Sequence, residues 1–151
     1  RYRSEFFGRL SQILQGREGV RVVGDRFVFQ SEVLFAPGEA TLSEAGRQQI
    51  AGLAALLTDI ADEIPPEIDW IIRVDGHTDG TPLSGSGRYA DNWELSQGRA
   101  LAVVRYLSDG LGFPAARLAP TGFADTRPIV PEDTPEGRAL NRRIELKLTE
   151  R

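Results

Sequence analysis

Hydrophobic positions along the chain switch between two periods, and the switches mark out the elements. Phe6, Phe7, Leu10, Ile13 and Leu14 recur at helical spacing up to Gly16, which predicts a short N-terminal helix with one apolar stripe. Val20 to Val23 and Arg26 to Phe29 read as strands joined by Gly24-Asp25, a two-residue hairpin signal. Val33-Leu34-Phe35 then runs into a Pro37-Gly38 turn. Thr41 with Glu44 three residues on suggests a capping box for a helix carrying Ile50, Leu53, Ala54, Leu57, Ala61 and Ile64 on one face. Pro65-Pro66 is expected to end it, because proline lacks a donor and restricts its predecessor.

Ile68, Trp70, Ile72 and Val74 alternate with Asp69, Ile71, Arg73 and Asp75, as in a strand with one strongly apolar face. After the Gly- and Ser-rich stretch Gly80 to Gly87, Asp91 and Glu94 are placed to cap a helix whose inner face is Ala100, Val103, Val104, Leu107 and Leu111. Arg117 to Phe123 predicts a short strand and Pro135 to Asn141 a helical turn. A last strand alternates Ile144, Leu146 and Leu148 with Glu145, Lys147 and Thr149. Strands interleaved with amphipathic helices imply an α/β (α+β) two-layer sandwich, a sheet covered by helices on one face. Residues 1–16 form a linker helix in this reading and residues 17–151 the domain.

Composition narrows the chemistry. The 151 residues are 40% hydrophobic and 26% charged, the balance of an ordinary globular domain. A net charge of −4 without any Lys/Arg run speaks against a nucleic-acid partner. With no cysteine, disulfides, thiolate catalysis and Cys-ligated zinc are excluded. His77 is the sole histidine, which disfavours a zinc site. Ser84 and Ser86 have no suggested His–Asp partners, so nucleophilic catalysis is unsupported and no cofactor is expected. Trp70 reads as core, while Trp93 reads as structural or as a platform for a sugar ring.

Two polar runs have no evident core role. Gly76-His77-Thr78-Asp79 ends an apolar strand, and Asn92 to Arg99 opens a helix with Arg99 at the border of its apolar stripe. A strand-end Asp79 facing Arg99 has two readings. One is a salt bridge closing the rim of the sheet. The other is a site in which Asp79 accepts a ligand ammonium and Arg99 holds a carboxylate, with Asn92 and Thr78 supplying neutral hydrogen bonds.

Gly76-His77-Thr78-Asp79, Asn92-x-x-Leu95-Ser96-x-x-Arg99-Ala100, Gly122-Phe123 and Asn141-Arg142-Arg143-Ile144 together resemble the OmpA-like peptidoglycan-binding domain. The block Tyr89-Ala90-Asp91-Asn92-Trp93-Glu94-Leu95-Ser96 is similar to its MotB type, the wall anchor of motor stators. The match covers residues 18 to 149. The resemblance implies a mixed sheet with helices on one face and non-catalytic binding of peptidoglycan through the meso-diaminopimelate of its peptide stem. It assigns Asp79 and Arg99 to that residue's amino and carboxylate groups, Asn92 and Thr78 to the pocket lining, and Arg142 to the stem's carboxylates. Ala36 and Gly38 depart from the family, many of whose members carry polar side chains at these positions. The resemblance also implies the periplasmic domain of a single-pass inner-membrane protein, acting as a homodimer with a MotA-like membrane partner. A protein–protein assembly module, motivated by the stripe at Phe6 to Leu14, is the alternative reading.

Overall fold

In the computed structural model, residues 20–151 are described, together with Gly8 and Gln12, both helical. The expected N-terminal helix otherwise lies outside the described residues. The hairpin forms as anticipated: β1 (Val20–Val23) pairs antiparallel with β2 (Arg26–Gln30), and Gly24 takes the positive φ of 61° that the tight turn requires. A single helical turn, α1 (Ser31–Leu34), follows, for which the sequence offered no helical signal. The long helix α2 (Glu44–Ala61) is capped by Ser43 rather than Thr41, the Ser43 hydroxyl accepting from the Gly46 N–H at 2.9 Å. It ends four residues before Pro65, and Ile64 packs into the core from the following turn.

β3 (Trp70–His77) runs three residues beyond its apolar alternation. Helix α3 (Asn92–Arg105) continues into a wider turn over Tyr106–Gly110, which leaves Leu111 exposed instead of inward. The Asp91 carboxylate caps α3 at the Glu94 N–H, and Glu94 accepts from the Ala90 N–H. β4 (Leu118–Gly122), α4 (Pro135–Asn141) and β5 (Arg143–Glu150) complete the described chain. Thr134 caps α4 and Pro135 occupies its first turn, where the missing donor costs nothing.

The described strands form one sheet in the order β1-β2-β5-β3-β4, antiparallel except for the parallel β3–β4 pair. Register sorts the side chains. Phe27 lies opposite Leu146, Phe29 opposite Ile144, Ile72 opposite Leu148 and Val74 opposite Leu146, giving one continuous apolar face. Against it pack Ile50, Leu53, Leu57 and Ile60 of α2 and Ala100, Val103 and Leu107 with α3, all buried. Each such aliphatic side chain stabilises the fold by about 1.5–3 kcal/mol through removal from water. Trp70 joins this core edge-on to Phe113, as its alternation predicted. The fold is thus the expected two-layer α/β (α+β) sandwich.

The opposite face carries charge. Arg73 clasps Asp75 through Nε and Nη2 at 2.8 and 3.0 Å, Arg143 donates to Glu145 at 2.7 Å, and Arg26 reaches the same carboxylate at 3.2 Å. His77 stacks on Phe123, with ring centroids 5.0 Å apart and an interplanar angle of 6°. Asp75, His77, Arg143 and Glu145 are all buried. No helix among the described residues is long and apolar enough to cross a membrane.

Candidate functional site

The site depends on how closely α3 approaches the ends of β3 and β4. A Cβ at Gly76 would lie 2.1 Å from the Ser96 carbonyl oxygen, and one at Gly122 would lie 2.7 Å from the Gln97 nitrogen. Glycine at both positions lets the helix rest directly on the strand backbones. Ser96 locks the contact, accepting from the Ala124 N–H at 3.0 Å, while the Ala124 carbonyl accepts from the Thr78 N–H at 2.9 Å. Gly76 therefore serves close approach and not a bend. The first turns of α3 end up beside the segment that leaves β3.

Asp79, Arg99, Asn92, Thr78 and Arg142 all line one pocket of about 400 Å³. Its remaining wall includes Glu32, Phe35, Leu83 and Leu95, so apolar surface surrounds a small charged centre. The pairing inside differs from the salt-bridge reading of the sequence. Asp79 is buried and bound to Arg142, not to Arg99, with Oδ2 accepting from Arg142 Nη1 at 2.6 Å and Oδ1 from the Thr81 N–H at 2.9 Å. Arg142 also donates from Nε to Glu32 at 2.5 Å. Burial opposes the Arg142 charge, but its hydrogen bonds to Asp79 and Glu32 prevail and raise its pKa above the ordinary arginine value.

Arg99 is only 4% exposed, so it belongs to the buried face of α3 and not to its border. It donates from Nε to the Glu39 carbonyl at 2.7 Å and from Nη2 to the Ala36 carbonyl at 3.2 Å. Its guanidinium lies over the Phe35 ring, 5.1 Å from the centroid. Nη1 makes no hydrogen bond among the described residues. Burial lowers the Arg99 pKa, with the Glu32 charge acting against that shift. The backbone at Ala36 thus takes part in the site although the side chain there cannot.

Thr78 and Asn92 reach the pocket but spend their donors on its backbone. The Thr78 hydroxyl donates to the Asp79 carbonyl at 2.8 Å, and the Asn92 amide to the Thr81 carbonyl at 3.1 Å. They shape the loop that presents Asp79. Asn141 does the same from the other side. Its carbonyl oxygen accepts from the Ile129 and Val130 N–H groups, and its amide donates to Glu132, which accepts from the Gly80 N–H at 2.7 Å.

Glu32 was not anticipated from the sequence. It projects from the unforeseen turn α1, and only the pairing β2–β5 brings it beside Arg142, 110 positions away. Trp93, 55% exposed, does not line the pocket. Asp75 and Asp79 do not form a carboxylate pair, since each has its own arginine. Asp75, His77 and Glu145 offer one ligand atom apiece within 4.8 Å of one another, a spacing a metal ion uses. Three guanidiniums hold those two carboxylates and oppose a further cation there.

The architecture is thus a two-layer sandwich with a charged pocket at its strand ends. The sequence pattern of the OmpA family matches residues 34–142, and the chain belongs to that family. Its fold is that of the MotB-like domains. It superposes on a MotB-like protein from Desulfovibrio vulgaris with a TM-score of 0.84 at 31% identity, covering 99% of this chain and 94% of that one. The cell wall anchor of the T6SS from Pseudomonas aeruginosa gives 0.78 at 28%, covering 95% and 96%. Motility protein B of Bacillus subtilis is 29% identical over 122 residues, 81% of this chain and 44% of that protein. The chain spans about half the length of the curated relatives it matches.

Proposed function

We propose that the pocket binds the zwitterionic centre of meso-diaminopimelate in the peptidoglycan stem and so anchors a membrane protein to the cell wall. The observation that carries this reading is charge balance. The pocket brings two guanidiniums, Arg99 and Arg142, together with two carboxylates, Asp79 and Glu32, beside the apolar surface of Phe35, Pro82, Leu83 and Leu95. Such a lining matches a ligand with one ammonium, one carboxylate and an aliphatic chain. In this reading Arg99 Nη1 donates to the ligand carboxylate. The ligand ammonium takes Asp79 Oδ2, and Arg142 keeps its bond to Glu32 while turning toward the stem's other carboxylates. Because the bound centre is small and near the surface, single-site affinity is modest, and firm anchoring comes from several copies engaging one wall.

The similarity to MotB-like domains and to a wall anchor supports the same reading. It extends to a periplasmic domain of a single-pass inner-membrane protein, a stator-like homodimer with a MotA-like partner. The test is co-sedimentation with purified sacculi, comparing the wild-type chain with Asp79→Asn and using free meso-diaminopimelate as competitor. Binding that is competed by the amino acid and lost in the variant is the expected result. Equal pelleting of both proteins would overturn the assignment of the site.

A further inference from the structure

A second pocket, also of about 400 Å³, lies along α3 and carries positive charge that the first does not use. Both pockets are walled by the same three segments. The first takes residues from Phe35 to Gly38, Thr81 to Leu83 and the opening turns of α3 up to Arg99. The second takes Ala40 to Leu42, Arg88 and Tyr89, and the α3 face from Gly98 to Arg105. Its charged lining residues are Arg88 and Arg105, and neither forms an ion pair among the described residues. No carboxylate lines it.

Gly98 builds this second pocket. A Cβ there would lie 2.8 Å from the Tyr89 Oη and 2.9 Å from Cε1, so the absence of a side chain lets the Tyr89 ring close onto the helix. Glycine is among the least favourable residues inside a helix. Here it seats Tyr89 and, with it, Arg88, whose guanidinium lies 5.8 Å from the centre of the Tyr89 ring.

We propose that Arg88 and Arg105 form a second, anion-binding subsite that takes a carboxylate farther along the same stem peptide whose diaminopimelate occupies the first pocket. The proposal rests on the wall-binding reading above and adds to it a second point of recognition. Spacing suits it. Six helical residues separate Arg99 from Arg105, about 9 Å of axial rise. An extended peptide covers ~10 Å in three residues. A stem held at its zwitterionic residue therefore spans the axial distance to the second pocket in about three residues, with the chain curving around α3 by roughly 120°. Two-point binding would favour the intact stem over its isolated amino acid.

Calorimetric titration of the chain tests this with free meso-diaminopimelate, a phosphate-free muropeptide carrying the full stem, and that muropeptide with its other stem carboxylates amidated. The proteins are wild type, the Arg88→Gln/Arg105→Gln double variant and Gly98→Ala. The double variant is expected to bind free diaminopimelate as wild type does and the muropeptide about five- to tenfold more weakly, the effect of two partly screened ion pairs. Amidation should impose the same loss on wild type and no further loss on the variant. Gly98→Ala, which displaces Tyr89 without removing charge, should weaken muropeptide binding in the same direction. Equal affinity of wild type and double variant for the muropeptide would overturn the subsite. A loss seen only on whole walls bearing phosphate polymers, and not on the phosphate-free muropeptide, would overturn its assignment to a stem carboxylate. If wild type bound neither diaminopimelate nor muropeptide, the first pocket's reading would fall and take this one with it.

Discussion

Arg142 and Arg143 are neighbours in sequence and do opposite work. Arg143 points to the charged face of the sheet and is 2% exposed, with every donor group engaged: Nε on Glu145, Nη1 on the Asn141 carbonyl, Nη2 on the Arg127 carbonyl. Arg142 points the other way, into the pocket, and its side chain is 33% exposed between Asp79 and Glu32. The same division separates Asp75, sealed against Arg73, from Asp79, four residues on. In one cluster each carboxylate is buried and held by its own guanidinium. The other is open, balanced in charge, and retains a guanidinium nitrogen with no protein partner among the described residues. Closed pairs hold the sheet together; the open set is available to a ligand.

The sharpest way to break this comparison is to truncate each arginine in turn. Arg143→Ala takes the 2.7 Å donor from the buried Glu145, leaving it Arg26 at 3.2 Å, and strips the Asn141 and Arg127 carbonyls, so it should cost about 3 kcal/mol in urea denaturation. Arg142→Ala should cost no more than about 1 kcal/mol, the value of a half-exposed pair, yet weaken sacculus binding. Similar losses of stability from both would erase the distinction.

Arg99 tests the border between the two roles. It anchors the Ala36 and Glu39 carbonyls from a buried position. Arg99→Ala should therefore lose binding and also about 1–3 kcal/mol of stability, through the carbonyls left unsatisfied. Asp79→Asn keeps the shape of its side chain and is the cleaner probe of binding. A thermal melt of Arg99→Ala matching wild type would show that those bonds contribute nothing.

Acid acts on the closed cluster. Burial works to raise the Glu145 pKa, but the His77 imidazole 3.5 Å away and the Arg143 guanidinium hold it down to about 2, below its ordinary 4.5. Its contribution to stability is complete above pH 4.5 and is lost as pH falls from there toward 2. Urea midpoints of wild type should decline through that window, and Glu145→Gln should flatten the decline. A smaller effect is expected from Asn92→Ala. Its amide holds the Thr81 carbonyl, so the loop presenting Asp79 loosens and affinity falls a few-fold with stability nearly unchanged.

Much of the architecture was legible from periodicity. The alternation over Trp70 to Val74 and Ile144 to Leu148, the stripe from Ile50 to Leu57, the cap at Asp91 and the helical turn from Pro135 each act within a few residues of themselves. The cap of α2 fell two residues from the expected Thr41, at Ser43, and the turn α1 carried no local signal of its own. The continuation of β3 through Gly76 and His77 was hidden because its buried polar residues are matched by Arg73 of the same strand, by Phe123 just after β4 and by Glu145 of β5.

The sequence by itself indicated Asp79, Thr78, Asn92 and Arg99, because a strand end and a helix start are local features in a fixed order; its resemblance to the family added Arg142, and Glu32 escaped both. It could not determine who pairs with whom. Asp79 lies 20 residues from Arg99 and 63 from Arg142, and nothing local favours the second. The β3–β5 register and the glycine contacts that press α3 onto the strands made that choice, placing Arg142 on Asp79, drawing Glu32 in from α1, and turning Arg99 toward the Ala36 and Glu39 carbonyls. Ion pairing is decided by a few ångströms of three-dimensional placement, and only packing supplies those.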